Sequence, residues 1–564
     1  MSLRIAVAQI NPIVGAFDQN LAQIQDFYKR ACAQKARVLL TPEFSLCGYP
    51  LYDLVERSEV FERTQKSLEA LMACTVGQEC ALGVGHIAPN PVEVGKSAQN
   101  VFTILENGKV SFRQAKTLLP NYDVFDESRH FEPASGIELW SCDGVKVGVA
   151  ICEDLWSFHP QWQRRLYGKD PVQSYKEQGV ELMVSLACSP YERGKQEIRE
   201  QLHQRVARSL GVPLVYVNQV GATDEILFDG NSFVLNHHGE LLGRLPAFES
   251  ALGFACFKGK VSESFQDEQN QDLVSQTPEE IELLTRALLT GIREYFYRTG
   301  FKKAIIGLSG GIDSAVVAVL AVFALGPKNV LGIGMPSQFS SAHSLEDAEL
   351  LAQNLKITFE VKPIKFLYSI AMREILGNRG ELSPIVKENL QSRLRGMMLM
   401  ALSNQDGSLV LTTGNKSELA MGYCTLYGDM VGALAPIGDL FKTQVYELAR
   451  YLNQVYGNCI PERTLTKAPS AELSLDQKDE DTLPSYEFLD QILSEYLEKG
   501  ISVKEVEARW GSTFLNQRMS VRDVFRRMEL SEYKRQQSSC TLKVSPKAFG
   551  VGRRIPISKI WDQF

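Results

Sequence analysis

The sequence predicts an α/β protein with two domains. In the first 260 residues, short apolar runs rich in β-branched residues recur between turn residues, and helical patterns separate several of them. In the second half, a glycine-rich loop joins an apolar strand to an apolar helix, and a second strand follows; such units build parallel sheets with a ligand at the strand ends. A chain of 564 residues is also too long for one hydrophobic core.

The first half is expected to contain many strands. Helical patterns cover residues 20–34 and 195–211, and the second ends at Gly211, a residue type that commonly stops a helix. The strand candidates are RIAVAQI (4–10), ARVLLTPEF (36–44), CALGVGHI (80–87), NVFTILENGKV (100–110), VKVGVAICED (145–154), ELMVSLACSP (181–190) and VPLVYVNQV (212–220).

A linker is expected at residues 261–278. This stretch is polar and has few large apolar residues, and Pro278 closes it where a new helical pattern begins. The domains would then cover residues 1–260 and 279–564. After that helical pattern, the second domain is predicted to continue with the strand KKAIIGL (302–308), the helix SAVVAVLAVFAL (314–325), the strand NVLGIGMP (329–336) and mostly helical segments.

The composition is that of an ordinary globular protein. Sixty basic and 67 acidic side chains give a net charge of −7, which offers no global attraction to nucleic acid or to an anionic membrane, although a local basic site is still allowed. Eleven cysteines show no C-x-x-C pair, and no signal-peptide layout or membrane-length apolar run is present. These features indicate reduced thiols in the cytoplasm, and the absence of Cys/His clusters argues against structural zinc.

Three titratable residues stand where predicted strands meet loops: Glu43, Lys116 and Cys152. A cysteine nucleophile needs a base to take its proton and a nearby cation, and a buried carboxylate and ammonium can supply both. This combination suits attack on an amide carbonyl, since the ammonium would stabilise the developing oxyanion. Taken singly, a strand-end glutamate is more often solvated, a lysine more often at the surface and a cysteine more often in the core.

Four stretches in order resemble the motifs of the nitrilase superfamily: TPEFSLCGYP, KTLLPNYDVFDE, GVAICEDLW and SLACSPYERGK. The resemblance implies an α-β-β-α sandwich in which Glu43 is the general base, Lys116 the oxyanion-stabilising cation and Cys152 the nucleophile. It also implies that glutamine is the substrate of a thioester mechanism. Contacts to glutamine are implied for Tyr122, Ser189 and Lys195.

The second half contains GLSGGIDS, whose residues are Gly307, Leu308, Ser309, Gly310, Gly311, Ile312, Asp313 and Ser314. Its glycines let backbone N–H groups approach an anion, and the helix that follows adds partial positive charge. No G-x-x-x-x-G-K-[ST] motif is present, so this is not a loop for transfer of a terminal phosphate. The stretch is similar to the pyrophosphate-binding loop of the ATP pyrophosphatases. Asp313 suits a Mg²⁺ ion on the pyrophosphate, or simply a charge partner of the helix N-terminus.

Downstream stretches resemble the NAD synthetases. They include ENLQSRLRGMMLMALSN, LTTGNKSELAMGYCTLYGDMVGALAPIGDLFKT and SEYKRQQSS. The resemblance implies a Rossmann-like parallel-sheet domain in which Thr413 contacts ATP. It places Asn389, Glu418 and Lys534 at deamido-NAD, with Glu418 also near Mg²⁺. Gln338 stands where the resemblance leads us to expect a basic residue, so that phosphate contact is either supplied elsewhere or absent.

The order of the halves resembles the glutamine-dependent NAD synthetases, and this implies one reaction sequence. Cys152 would release ammonia from glutamine, and the second half would use it to amidate deamido-NAD activated by ATP. An ammonia channel, a homo-oligomer and a cytoplasmic location follow as expectations, with neither nucleic acid nor membrane as partner. The alternatives are a synthetase with another acceptor, a non-catalytic first half on an ammonia-using synthetase, and a tRNA-modifying protein.

Overall fold

A computed structural model of the chain describes residues 2–158, 166–258, 261–273, 278–377, 383–470, 472–474, 477–513 and 517–560. The chain forms two compact units, Met1–Leu283 and Leu284–Phe564.

The first unit is built mainly from strands. Its strands are β1 (Ser2–Gln9), β2 (Val38–Leu40), β3 (Ala81–Pro89), β4 (Ala98–Glu106), β5 (Lys109–Ala115), β6 (Leu139–Cys142), β7 (Val145–Ile151), β8 (Leu182–Ala187), β9 (Leu214–Asn218), β10 (Val220–Thr223), β11 (Ile226–Asp229), β12 (Phe233–Leu235), β13 (Leu241–Arg244), β14 (Ala251–Lys258) and β15 (Val261–Gln266). Its helices are α1 (Phe17–Ala33), α2 (Ser58–Cys74), α3 (Glu127–His130), α4 (Pro171–Glu177) and α5 (Lys195–Leu210), with short 3₁₀ helices at Tyr52–Glu56 and Cys152–Phe158.

Two mixed sheets pack face to face in this unit. One has the strand order β15-β14-β1-β2-β3-β4-β5 and the other β13-β12-β9-β8-β7-β6. Because side chains alternate along a strand, Ile5 and Val7 of β1 lie in the core that both sheets share, while Ala6 and Ala8 face the layer containing α1 and α2. Residues of β7 contribute to the same shared core, and Ala150 faces the side of α4 and α5. The predicted α-β-β-α sandwich is confirmed.

Part of the segment predicted as a linker belongs to the first sheet. Strand β15 pairs antiparallel with β14, so residues 261–266 are not linker. The stretch is mostly polar, but it contains one large apolar residue, Phe265, whose side chain is buried in the core between the sheets. Residues 274–277 of the predicted linker lie outside the described part of the chain.

The second unit is mainly helical around a parallel sheet. Its strands are β16 (Ala304–Gly307), β17 (Val330–Gly334), β18 (Thr358–Val361), β19 (Leu409–Val410), β20 (Leu434–Ala435) and β21 (Cys540–Thr541). The helices are α6 (Glu280–Thr299), which begins at the end of the first unit, α7 (Ile312–Leu325), α8 (Ala342–Leu355), α9 (Lys365–Leu376), α10 (Pro384–Asp406), α11 (Lys416–Met421), α12 (Lys442–Tyr456), α13 (Glu462–Thr466), α14 (Tyr486–Leu497), α15 (Val503–Trp510), α16 (Val521–Leu530) and α17 (Glu532–Arg535).

The parallel sheet has the order β18-β17-β16-β19, which confirms the predicted Rossmann-like domain. Helix α7 is apolar on all sides from Ala315 to Val322, and all of these residues are buried. A helix that is apolar all round is typical of a protein interior. Helix α7 begins directly after the loop that follows β16, so the loop lies at the carboxyl end of a central strand. In the described part of the chain, no helix combines the length and apolarity that a bilayer span requires.

Two buried histidines make the stability of the first unit depend on pH. Burial lowers the pKa of His86 and of His203 from 6.5 to about 4. Each Nδ1 is bonded to a backbone carbonyl, at 2.7 Å in both cases, so it donates, and the neutral ring accepts a hydroxyl hydrogen bond at Nε2. The unfolded chain therefore binds more protons between about pH 4 and 6.5, and stability is lost as the pH falls through this window.

We expect the free energy of unfolding to fall by about 2 kcal/mol per histidine between pH 7 and pH 5. Urea unfolding of the wild type and of His86→Gln/His203→Gln at both pH values measures this contribution. The double variant should lose about 4 kcal/mol less than the wild type over that interval. Equal losses in the two proteins would show that the histidines are not the cause.

Candidate active sites

Glu43, Lys116 and Cys152 lie shortly after the ends of β2, β5 and β7, as the sequence predicted. All three side chains are buried. The ammonium of Lys116 donates to Oε1 of Glu43 at 2.8 Å. Burial raises the pKa of the Cys152 thiol well above its ordinary value; the Glu43 carboxylate raises it further and the Lys116 ammonium lowers it. The structure thus brings the three residues into one buried site.

A second glutamate, which the sequence analysis missed, holds Lys116. Glu127 accepts from the Lys116 ammonium at 2.9 Å through Oε1 and lies 2.8 Å from it through Oε2. Burial alone would lower the pKa of Lys116, but Glu127 and Glu43 together raise it well above the ordinary value. Lys116 is therefore a fixed cation. The available signal was the position of Glu127 at the end of the same motif, KTLLPNYDVFDE.

The carboxylate of Glu43 is fixed on both oxygens. Asn100 donates its amide hydrogen to Oε1 at 2.7 Å, and the backbone N–H of Cys188 donates to Oε2 at 2.8 Å. Asn100 belongs to β4 of the first sheet, and Cys188 follows β8 of the second. A carboxylate held between the sheets in this way is aligned to exchange a proton with one neighbouring group.

Cys152 itself lies at a strained turn. Its φ is +44°, in the left-handed region that non-glycine residues seldom adopt. The residue follows β7 directly and starts the 3₁₀ helix Cys152–Phe158. Nucleophiles on such strand-to-helix turns project their reactive atom away from the sheet.

The residues predicted to bind glutamine lie in one neighbourhood. The Tyr122 hydroxyl is 3.1 Å from both oxygens of Glu153, the residue after the nucleophile, and the Tyr167 hydroxyl donates to Glu153 at 2.7 Å. Lys195 begins α5, lies 6.0 Å from the ring centre of Trp156, and partly offsets the rise that burial causes in the pKa of Glu153. Ser189 is buried and its N–H donates to Asn218 at 2.9 Å. Glu153 was not predicted from the sequence as a site residue, although GVAICEDLW contains it.

A cavity of about 310 Å³ opens at the strand ends of the second unit. All eight residues of the loop Gly307–Ser314 line it, and so do Thr413 and Glu418. Asn389 and Lys534 do not line it. Asn389 accepts from the Thr425 hydroxyl at 2.9 Å. Lys534 donates to the carbonyl oxygens of Gly422 and Cys424, at 2.7 Å each, and Cys424 is part of the cavity wall.

The glycine-rich loop is closely packed. Gly310 has a φ of +77°, and a Cβ at this position would lie 2.2 Å from the carbonyl oxygen of Ser344. The hydroxyl of Ser309 accepts from the N–H of Gly311 at 3.2 Å and lies 3.2 Å from the hydroxyl of Ser314. The loop therefore has one well-defined path, with α7 starting at its end.

Carboxylates and one lysine meet on the cavity wall. Lys442 binds both Asp313 and Glu418, the latter at 3.3 Å, and Asn415 donates to Asp313 at 3.0 Å. Burial raises the pKa of Glu418; Lys442 lowers it, while Asp313 and Asp479 raise it further. Two carboxyl groups on the cavity wall thus share one ammonium.

Three basic side chains line the cavity: Arg395, Lys442 and Lys467. None of them was predicted from the sequence. Lys467 donates to Oε1 of Glu472 at 2.7 Å, and Arg395 donates to the Met335 carbonyl at 3.1 Å. Lys442 and Lys467 are thus paired with carboxyl groups, and Arg395 is paired with a backbone carbonyl. Arg395 and Lys442 lie within the stretches that resemble the NAD synthetases, but each basic residue reaches the cavity from a different helix or loop, so the sequence pattern alone did not bring them together.

Comparison with known proteins identifies both units. Residues 4–258 match the carbon-nitrogen hydrolase family and residues 284–538 match the NAD synthase family. A glutamine-dependent NAD(+) synthetase from Synechocystis sp. is 43% identical over 563 residues, which cover 98% of each chain, and one from Acinetobacter baylyi is 38% identical over 99% of each. The solved structure of the glutamine-dependent NAD+ synthetase from Acinetobacter baumannii with ADP is similar, with a TM-score of 0.76 and 35% identity, covering 99% of this chain and 98% of that one. The chain belongs to the family of glutamine-dependent NAD(+) synthetases, ligases of the last step of NAD biosynthesis.

Proposed function

We propose that Cys152 releases ammonia from glutamine through a thioester. Glu43 takes the thiol proton, and the sulfur attacks the amide carbon of glutamine. Lys116 stabilises the oxyanion, and ammonia leaves with the proton that Glu43 returns. Glu43 then activates a water that hydrolyses the thioester to glutamate. The observation that carries this proposal is the fixed Lys116 ammonium between Glu43 and Glu127 in the same buried site as the thiol.

The α-ammonium and the α-carboxylate of glutamine suit the charged groups beside Cys152. Tyr122, Ser189 and Lys195 stay the proposed glutamine contacts, and we add Glu153. The described hydrogen-bond partners of the Glu153 carboxylate are neutral hydroxyls, so it can accept from the α-ammonium of glutamine. Lys195 suits the α-carboxylate in the same way.

The variant Glu153→Gln is expected to raise the KM for glutamine by about 10- to 100-fold with a smaller change in kcat. A charge-assisted hydrogen bond contributes roughly 1.5–3 kcal/mol, and the glutamine side chain would keep only a neutral one. Steady-state kinetics with glutamine as nitrogen donor measure the change. NAD formation from ammonium should be unaffected and is the internal control. An unchanged KM for glutamine would remove Glu153 from the binding site.

In the second unit, we propose that the cavity binds ATP along the loop Gly307–Ser314 and Thr413. Deamido-NAD would be recognised by Asn389, Glu418 and Lys534, with the cations on the wall neutralising phosphate. The nicotinate carboxylate attacks the α-phosphate of ATP and releases pyrophosphate. Ammonia then attacks the acyl carbon of this adenylate and releases AMP, which leaves the carboxamide of NAD. Because most ammonia is protonated in neutral water, delivery along an enclosed route is favoured chemically and stays a prediction.

Asp313 and Glu418 fit a Mg²⁺ ion. Both offer carboxylate oxygens, the ligands that Mg²⁺ prefers. Burial is the main cause of the raised pKa of Glu418, and the Asp313 and Asp479 carboxylates raise this pKa further, so a divalent cation there would relieve their repulsion. When bound, the ion would neutralise charge on the pyrophosphate leaving group. Lys442 contacts both carboxylates, and all three residues line the cavity.

A homo-oligomer in the cytoplasm is the remaining part of the proposal. Helices α9 and α10 expose several large apolar side chains, which a second copy of the chain could cover. They are Phe366, Leu367, Ile370, Ile375, Ile385, Val386, Met397 and Met400. Sedimentation equilibrium measures the mass of the assembly, and a mass equal to one chain at micromolar concentration would contradict the proposal.

NAD formation tests the proposed function as a whole. Purified protein is given deamido-NAD, ATP and Mg²⁺, with either glutamine or ammonium as nitrogen donor. We expect NAD, AMP and pyrophosphate with both donors, and glutamate only with glutamine. Omission of Mg²⁺ should stop the synthetase reaction. If neither donor yields NAD, the assignment of deamido-NAD as acceptor is wrong.

A further inference from the structure

Asp154, two residues after the nucleophile, makes an unusual set of hydrogen bonds. Its side chain is buried and accepts three backbone N–H groups. Oδ1 accepts from Thr117 at 2.9 Å and from Leu118 at 2.8 Å, and Oδ2 accepts from Ile151 at 3.0 Å. Burial raises the pKa of Asp154 and these N–H groups partly offset the rise, which leaves the pKa at about 6. Three N–H donors on its two oxygens match a carboxylate, which only accepts.

These donors flank two residues of the glutaminase site. Thr117 and Leu118 directly follow Lys116, and Ile151 directly precedes Cys152. Asp154 lies in the first turn of the 3₁₀ helix that Cys152 begins, and its side chain accepts from the N–H of Ile151, the residue before the helix. This is the bond by which a side chain in a capping box reaches back to the N-cap residue. It closes the turn in which Cys152 has its positive φ.

The lysine and the cysteine belong to different sheets. Lys116 follows β5 of the first sheet and Cys152 follows β7 of the second. Hydrogen bonds within a sheet fix the spacing of its own strands, but they do not fix one sheet against the other. Glu43 spans the gap through the N–H of Cys188, after β8. Asp154 spans it directly between the segments that carry the cation and the nucleophile.

We propose that Asp154 is a positioning residue for glutamine hydrolysis, whose carboxylate holds the Lys116 segment and the Cys152 turn at the separation that the oxyanion requires. The inference rests on the proposed roles of Lys116 and Cys152. Asp154 does not touch the reacting atoms, since its oxygens are directed at backbone N–H groups. The amide of an asparagine cannot replace this carboxylate, because its NH₂ group is a donor and would face at least one of the three backbone N–H donors.

The variant Asp154→Asn tests this in the full-length protein. We expect kcat for glutamine-dependent NAD formation to fall about 100-fold, as displacements of about 1 Å in an active site do, while the KM for glutamine changes by less than about threefold. The kcat for ammonium-dependent NAD formation should equal that of the wild type. A merely structural defect would not separate kcat from KM in this way, because a distorted pocket would also bind glutamine poorly.

Glu181→Gln is the matched control. Glu181 accepts the N–H of Lys146 at 2.9 Å, at the opposite end of the same strand β7, so the exchange also turns a carboxylate on a backbone N–H into an amide. It should leave both reactions unchanged. Cys152→Ala in parallel tests the proposed nucleophile: if it still uses glutamine, the proposed function fails independently of Asp154.

Four results would overturn the inference. One is a kcat of Asp154→Asn within about threefold of the wild type, and another is a raised KM with an unchanged kcat. If Asp154→Asn does not fold, Asp154→Glu takes its place, because it keeps the charge but moves the carboxylate by one methylene. A wild-type kcat for that variant, or failure of both variants to fold, would assign Asp154 to folding alone.

Discussion

Replacing Cys152 with alanine is expected to abolish glutamine-dependent NAD formation and to leave ammonium-dependent NAD formation intact. The thiol is the proposed nucleophile, and loss of a nucleophile from a preorganised site lowers kcat by about 10⁶-fold. Alanine fits the buried site without a clash, so the fold should persist. Initial rates with saturating glutamine, and separately with ammonium, measure the effect.

Cys142→Ala is the control for this prediction. Cys142 is a buried cysteine of β6, the strand paired with β7, and lies in the core between the sheets. It should retain both reactions, although removal of a buried thiol lowers stability somewhat. Glutamine use by Cys152→Ala would mean that the nucleophile lies elsewhere. Loss of the ammonium reaction as well would show that the substitution acts beyond the glutaminase site.

Gly310→Ala is expected to suppress NAD formation with either donor by about 100-fold, the loss that a shift of about 1 Å causes in an active site. The added Cβ would lie 2.2 Å from the Ser344 carbonyl, far inside van der Waals contact, and the φ of +77° is strained for alanine. The loop would have to move away from its path along the cavity. Rates with ammonium as donor, at varied ATP, separate this effect from any change in the first unit.

Gly326→Ala provides the comparison at the other end of α7. Gly326 also has a positive φ, +87°, but a Cβ there would meet nothing within 4 Å. Alanine at Gly326 would be strained by the backbone but would not clash, so this variant should lower stability by about 1–3 kcal/mol and keep activity. Equal losses of activity in the two variants would show that the effect comes from helix strain and not from the loop.

The sequence contained enough local information for the elements and for part of each site. Alternation in RIAVAQI and the apolar run before Cys152 predicted β1 and β7, and the order of the motifs pointed to the family of glutamine-dependent NAD(+) synthetases. Glu127, Glu153 and Lys442 were missed. Their roles depend on which strand ends and helices meet in the folded chain. Periodicity predicts which face of a helix or strand is buried, but it does not predict which element packs against that face. Phe265 shows the same limit. Residues 261–266 were predicted as linker, but they form a strand whose Phe265 side chain is buried in the core between the sheets.

The salt bridges of Lys116 have a consequence for how the thiol is activated. The Lys116 ammonium is paired with the carboxyl groups of Glu43 and Glu127 in one buried site next to the thiol. When a proton passes from Cys152 to the Glu43 carboxylate, the negative charge moves from that carboxylate to the thiolate, and the number of charges in the site stays the same. No new ion has to be stripped of water. Since mobile ions barely screen buried charges, thiol activation is insulated from the ionic strength of the surrounding solution.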